Sequence, residues 1–212
     1  MENANHTVLV RGRGIHSTAH EPIILPDAAI PNGLEIMQFN MCIIRENGNV
    51  VVKYAKRGIC KGKWNFPGGK IEHGELLRAG VFREIKTETG LSVGVNDLIY
   101  HGKLDSYIDG NNFISRVHIV STNKFSGVLE SSEEGPTMWV DIKLLHTLNM
   151  WKDVEKWLPL ISEPVIFHAV CYYSQSKDEL LGYSVSSKKR DERFDRGIVT
   201  GLRRPDKLRN VG

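Results

Sequence analysis

Five residues separate Gly69 from Glu75, and seven more separate Glu75 from the run Arg83-Glu84-Ile85. Within this stretch Leu77, Val81 and Ile85 recur every four residues. That spacing predicts a helix over 75–89 with an apolar stripe along one side. Gly90 supplies the left-handed stop that ends it. A stripe of this kind must be covered, so the helix has to pack against a second layer of structure.

The charges on the same helix narrow what the fold can do. Glu84 and Glu88 are four apart and share a face, where two carboxylates repel by a few tenths of a kcal/mol. Helix C-termini also disfavour negative charge. A bound divalent cation would remove both penalties. Magnesium takes oxygen ligands and joins one or two carboxylates with waters and substrate phosphates. Gly68-Gly69 offers a backbone free to bend, so that a main-chain carbonyl can join the ligands. A cation held there neutralises a polyphosphate and acidifies a bound water, and a nearby glutamate accepts the proton. The plain alternative is a solvated amphipathic helix with scattered charges. It wins for any one pair; the joint spacing of Gly69, Glu75, Arg83-Glu84, Glu88 and Gly90 favours the cation site.

The remaining pattern is rich in strands. Residues 37–44 and 50–55 flank Asn47-Gly48, a hairpin turn signal. Residues 117–121, 138–141, 165–173 and 180–186 read as further strands, and 153–157 as a short second helix. Residues 57–74 read as a loop. Two helices inserted among many strands predict an α+β sandwich. The ordered domain is expected over 35–187, between an irregular extension at 1–34 and a basic tail at 188–212.

Composition excludes several functions. Of 212 residues, 41% are hydrophobic and 25% charged, ordinary for a globular chain. No apolar run approaches the ~18 residues that span a bilayer, and the N-terminus has no apolar signal core. Cys42, Cys60 and Cys171 are too scattered for a disulfide framework or a zinc site, which fits a reducing, cytoplasmic setting. The tail holds nine Lys/Arg against four acids, so it carries about +5 and the rest about −2. A nucleic-acid surface on the main domain is not suggested. The tail alone could meet nucleic acid through charge, and a solvated tail is the plainer reading because Phe194 is its one aromatic residue.

The stretch from Gly69 to Leu91 resembles the Nudix box, G-x5-E-x7-R-E-U-x-E-E-x-G-U with U aliphatic. Every fixed position matches except Thr87, which stands where the first of two paired glutamates belongs. The resemblance implies an α/β/α sandwich around a mixed sheet, hydrolysis of nucleoside diphosphates linked to another moiety, and Mg2+ or Mn2+ as cofactor. It implies Glu84 and Glu88 as metal ligands, with Glu84 activating water, Arg83 orienting a glutamate through bidentate contacts, and Gly68 offering its carbonyl.

A second resemblance covers about residues 36–187. The segments 130–140 and 149–160, with Lys63-Trp64-Asn65, are similar to the human-type oxidised-purine nucleoside triphosphatases, the MutT-like 8-oxo-dGTP diphosphatases that sanitise the nucleotide pool. It implies Glu134 as another metal ligand, Asn65 and Asp153 as hydrogen-bond partners of a purine, and Trp151 as its stacking surface. Those residue types suit the task, since an indole gives a flat apolar face and Asn both donates and accepts. Packing is the competing reading for Trp151 and the preferred one for Trp139 and Trp157. A helix N-cap competes for Asp153. Three departures bear on the breadth of substrate: Val154 replaces a second aspartate, Ile59 an aromatic residue, and Ala55 a lysine. Tyr107 stands where dinucleoside-polyphosphate hydrolases of the family carry a tyrosine, which gives a second enzymatic reading. A nucleotide- or RNA-binding module with little turnover is a third, motivated by Thr87 and the tail.

Overall fold

A computed structural model describes residues 34–94 and 96–190. Among them, eight strands form one mixed sheet. They are β1 (Glu35–Glu46), β2 (Asn49–Tyr54), β3 (Trp64–Asn65), β4 (Ile99–Ile108), β5 (Phe113–Thr122), β6 (Thr137–Asp141), β7 (Val165–Tyr173) and β8 (Leu180–Lys189). Helix α1 spans Leu77–Thr89 and α2 spans Val154–Trp157, with 3-10 turns at Ile142–Thr147 and Leu158–Ser162. The spatial order is β3-β2-β1-β5-β4-β7-β8, with β6 also paired to β2, off this path. β1 pairs with β5, and β4 with β7, in parallel; the other pairings are antiparallel. The tight turn between β1 and β2 uses positive φ at Asn47 (50°) and Gly48 (82°), as the Asn-Gly signal requires.

The sheet is covered on both faces, so the α+β sandwich expected from the sequence is what forms. The stripe Leu77, Val81 and Ile85 lies buried against Cys42, Ile44, Val51 and Val120 on one face. Burying each such side chain contributes roughly 1.5–3 kcal/mol, which is what holds α1 to the sheet. On the other face Met41, Ile43, Val52, Leu104 and Phe167 pack against Trp157, Val154, Met150 and Ile161. The two faces alternate along β1 and β2 as the period-2 rule demands. Gly90 ends α1 with φ 72°.

Three differences from the sequence-based expectation concern the sheet, the smallest being β3, which lies inside the segment 57–74 expected to be a loop. β4 was not expected; its inward positions include His101 and Asp105, and its pairing is interrupted by a bulge between Tyr100 and Gly102. β8 continues to Lys189, past the expected boundary at 187, and Arg190 donates to the carbonyl of Tyr100 at 2.8 Å. The extension at 1–33 and the tail from 191 lie outside the described residues. Among the described residues no helix is long and apolar enough to cross a membrane.

A buried ion pair joins the two central strands of the larger half of the sheet. Arg116 on β5 donates to both oxygens of Asp105 on β4, at 2.7 and 2.8 Å, and His168 on β7 approaches at 2.9 Å. Burial opposes ionisation of Asp105, but Arg116 and His168 outweigh it and hold the carboxyl below its ordinary range. Its stabilising effect is therefore complete above the unfolded value near 3.9 and fades as pH falls toward the native value. Asp105→Asn is expected to lower the unfolding free energy at pH 7 by about 3 kcal/mol. Denaturant titrations should show the gap from wild type narrowing below about pH 4; a gap independent of pH would contradict the assignment.

Candidate active site

Glu84 and Glu88 are brought to the sheet by the stripe one step round the helix. Because Ile85 and Val81 face inward, Glu88 in the last turn is carried against β2 and becomes almost wholly buried, with 1% of its surface exposed. Gly68 lies beside it on the loop before α1. Its φ of 152° and the nearness of the Asn40 carbonyl leave no room for a Cβ. This close approach lets the Gly68 amide donate to Glu88 Oε2 at 2.9 Å. Glu88 Oε1 accepts from the ammonium of Lys53 on β2, which also donates to Glu134 Oε2 at 3.2 Å. Arg57 donates to the other oxygen of Glu134 at 2.5 Å.

The opposing charges set the protonation of this group. Burial works against the Lys53 ammonium, but Glu88 and Glu134 outweigh it and raise its pKa, so the charge is kept. Burial pushes the Glu88 carboxyl up to about 7, with Lys53 and the Gly68 amide pulling the other way. The hydrogen bond from Arg57 is the main cause that lowers Glu134.

Arg83 acts as a clamp, and the glutamate it grips with two bonds is Glu75. Its Nε and Nη2 donate to the two oxygens of Glu75, both at 2.9 Å, which is the bidentate contact. Its Nη1 donates to Glu84 Oε1 at 2.6 Å, and Nη2 also reaches the Lys70 carbonyl. Arg83 thus ties the start of the helix, the glycine loop and Glu84 into one unit.

A cavity of about 350 Å³ opens beside these groups. Its lining falls into two groups, taken as its two ends: Gly68, Glu88 and Glu134 joined through Lys53, with Glu84, and Asp153 and Trp151 joined through Tyr173, with Asn65. Arg83 stands behind Glu84 rather than in the lining. The second end is largely apolar, with Ile59, Phe66, Leu104, Ile108 and Val117 in its wall. Trp151 is partly exposed and meets Tyr173 edge-on at 4.9 Å, while Lys63 lies 5.4 Å from its ring. Trp157 is fully buried and stacks on Phe167, and Trp139 packs on Phe125, as core residues do. Asn65 is turned toward its own loop, with Oδ1 accepting from the Phe66 amide at 3.0 Å and Nδ2 reaching Cys60 Sγ.

Asp153 does not cap α2. Its backbone is helical and its side chain makes no capping bond. Instead Tyr173 donates its hydroxyl to Oδ1, and Trp157 Nε1 donates to Oδ2 at 2.6 Å. Burial raises the Asp153 carboxyl, and these two donors oppose the rise. Tyr107 is buried but absent from the lining, because it points to the opposite face of β4 from Ser106 and Ile108. The position therefore gives no support to the dinucleoside-polyphosphate reading.

Several groups in the cavity were not anticipated: Lys53, Arg57, and two buried polar side chains without hydrogen-bond partners, Asn40 and Ser115; nor was Tyr173, which stands behind Asp153. Lys53 had a signal, since it follows Val50-Val51-Val52 at a position whose alternation points inward beside Val51. Asn40 and Ser115 line the cavity and hold buried polar atoms that are unsatisfied, which buried polar groups seldom tolerate without a ligand or water.

The carboxylates are of the type a magnesium ion takes, with a loop backbone alongside. Glu84 and the glycine loop fit one ion of this kind. As the side chains stand, however, no three acidic, histidine or cysteine residues among the described residues converge on one point, and Lys53 occupies the space between Glu88 and Glu134. The charge penalty on α1 that suggested a divalent cation is relieved in part by the chain's own lysine.

A family model described as the NUDIX domain matches residues 37–161. The oxidized purine nucleoside triphosphate hydrolase of Mus musculus is 29% identical over 147 residues, which cover 69% of this chain and 92% of that protein. The protein of the same name from Danio rerio is 31% identical over 121 residues, covering 57% and 76%. The crystal structure of a mutator MutT protein from Bacillus halodurans superposes with a TM-score of 0.60 at 25% identity, covering 70% of this chain and 97% of that one. The family match spans the helix, the glycine loop and most of the cavity wall, and by it the chain belongs to the Nudix family, as a hydrolase of phosphoric anhydrides.

Proposed function

We propose that the protein is a magnesium-dependent pyrophosphohydrolase of purine nucleoside triphosphates, oxidised ones such as 8-oxo-dGTP foremost, releasing the monophosphate and pyrophosphate. It would work in the cytoplasm on the nucleotide pool. The observation that carries this reading is the two-ended cavity: carboxylates and a glycine loop at one end, an indole and a buried carboxyl at the other. A nucleotide has the same polarity. The names of the relatives from mouse and zebrafish point to the same substrate class. The domain is taken as 35–187, and Mn2+ is expected to serve in place of Mg2+.

Glu84, Glu88, Glu134 and the Gly68 backbone would form the cation end of the cavity, where a bound ion would offset phosphate charge and acidify water. The chain's own groups do the rest. Arg83 fixes Glu84 through one oxygen, which leaves the other oxygen to accept a proton from the attacking water. The water oxygen bonds to one phosphorus of the α–β anhydride, the bond from that phosphorus to the bridging oxygen breaks, and the bridging oxygen keeps the electron pair on the other product, so that monophosphate and pyrophosphate result. Trp151 supplies a face for the purine. Asp153, held by Tyr173 and Trp157, presents a carboxyl to its edge, while Asn65 can both donate and accept.

With Mg2+ and a nucleotide panel, Glu84→Gln is expected to lower kcat by roughly 10²–10⁴-fold with little change in KM. Full turnover by this variant would remove Glu84 from the chemistry. Trp151→Ala is expected to raise KM for purine triphosphates about tenfold or more, the loss of one base stack. An unchanged KM would assign Trp151 to packing.

A further inference from the structure

The ammonium of Lys53 sits where cation chemistry is expected, and it is not a surface group that happens to reach in. It is anchored on β2, whose inward residues pack under α1, and only 10% of its side chain is exposed. Its two partners come from elements far apart in the chain, Glu88 at the end of α1 and Glu134 on the loop before β6. A single ammonium with three donors can bridge two carboxylates in this way. Glu88 is the more buried partner and also takes the Gly68 amide, so both of its oxygens are engaged by the protein.

Position 87 supplies a second and independent observation. The residue there is an exposed threonine, one carboxylate fewer than the box prescribes. The helix therefore carries one carboxylate fewer than the box, and one ammonium stands against its Glu88.

We propose that Lys53 is a resident cation of this site, taking the place of one divalent ion between Glu88 and Glu134. The exchangeable ion is then confined to Glu84 and the glycine loop, at the end where Arg83 fixes the carboxylate. With its charge built in, the site needs fewer ions to balance the same polyphosphate. The proposal rests on the reading of Glu84, Glu88 and Glu134 as the cation end of the cavity.

Binding, rather than turnover, tests it. Mn2+ bound to the full-length protein would be counted by calorimetry and by paramagnetic resonance, without nucleotide, in wild type, Lys53→Met and Lys53→Arg. The expected result is an additional Mn2+ in Lys53→Met that is absent from wild type and Lys53→Arg, and that disappears again in Lys53→Met/Glu134→Gln. Equal numbers in wild type and Lys53→Met would overturn the role of Lys53. Failure of every protein to bind Mn2+ would instead overturn the reading of the carboxylates as a cation site. Should Lys53→Met fail to fold, wild type suffices: the hydrogen-bonded ammonium resonance of Lys53 in ¹H–¹⁵N spectra is expected to persist at saturating Mg2+. Its loss on Mg2+ addition would mean that the ion displaces the lysine, and the proposal would be wrong.

Discussion

Glu88 places a carboxylate where water scarcely reaches it, and several parts of the molecule are arranged around that group. An ionised carboxyl in such a position costs several kcal/mol unless it is countered by charge and hydrogen bonds. The counter-groups come from β2 through Lys53 and from the glycine loop through the Gly68 amide. One carboxylate thus locks helix, strand and loop together. That lock determines where Glu84 lies, one helical turn earlier, and where the loop backbone runs past it. Arg83 adds a second tie from the same helix to Glu75 and to the Lys70 carbonyl. This end of the cavity is consequently held together by the chain's own groups, the kind of preorganisation that electrostatic catalysis draws on.

The other end of the cavity is built differently. Its walls are the apolar face of the sheet, closed by α2 and by Trp151 and Asp153 just before it, and polarity is confined to a few points. Asp153 is the most constrained of them, with Tyr173 and Trp157 fixing both of its oxygens. Tyr173 belongs to β7 and Trp157 to α2, so the carboxyl is held by two layers of the sandwich. A site with Val154 in place of a second carboxyl depends more heavily on the one that remains, because a lost hydrogen-bond partner weakens discrimination.

Much of this was legible in the chain. The Leu77/Val81/Ile85 stripe and the Gly90 stop marked α1, and Asn47-Gly48 marked the turn, because each depends on local geometry alone. The carboxylate spacing located the cavity's polar end for the same reason. What escaped was non-local. β4 is buried on both faces and carries His101 and Asp105 inward, with a bulge at Gly102, so neither alternation nor an apolar run announced it. Asp153 has the sequence context of an N-cap, but Tyr173 lies twenty residues on and only the fold brings its hydroxyl there. Lys53 was visible as an inward-pointing lysine after three valines, yet its partners, Glu88 and Glu134, are fixed by tertiary packing.

The central claim is that one cavity serves both the phosphates and the purine, in a single orientation. A crystal structure of the protein with Mn2+ and a non-hydrolysable purine nucleoside triphosphate addresses it directly. The account predicts the phosphates beside Glu84 and the Gly68–Lys70 loop, with the base against Trp151 and within hydrogen-bonding distance of Asp153. A nucleotide bound outside this cavity, or inside it with its base toward Glu84, would contradict the account.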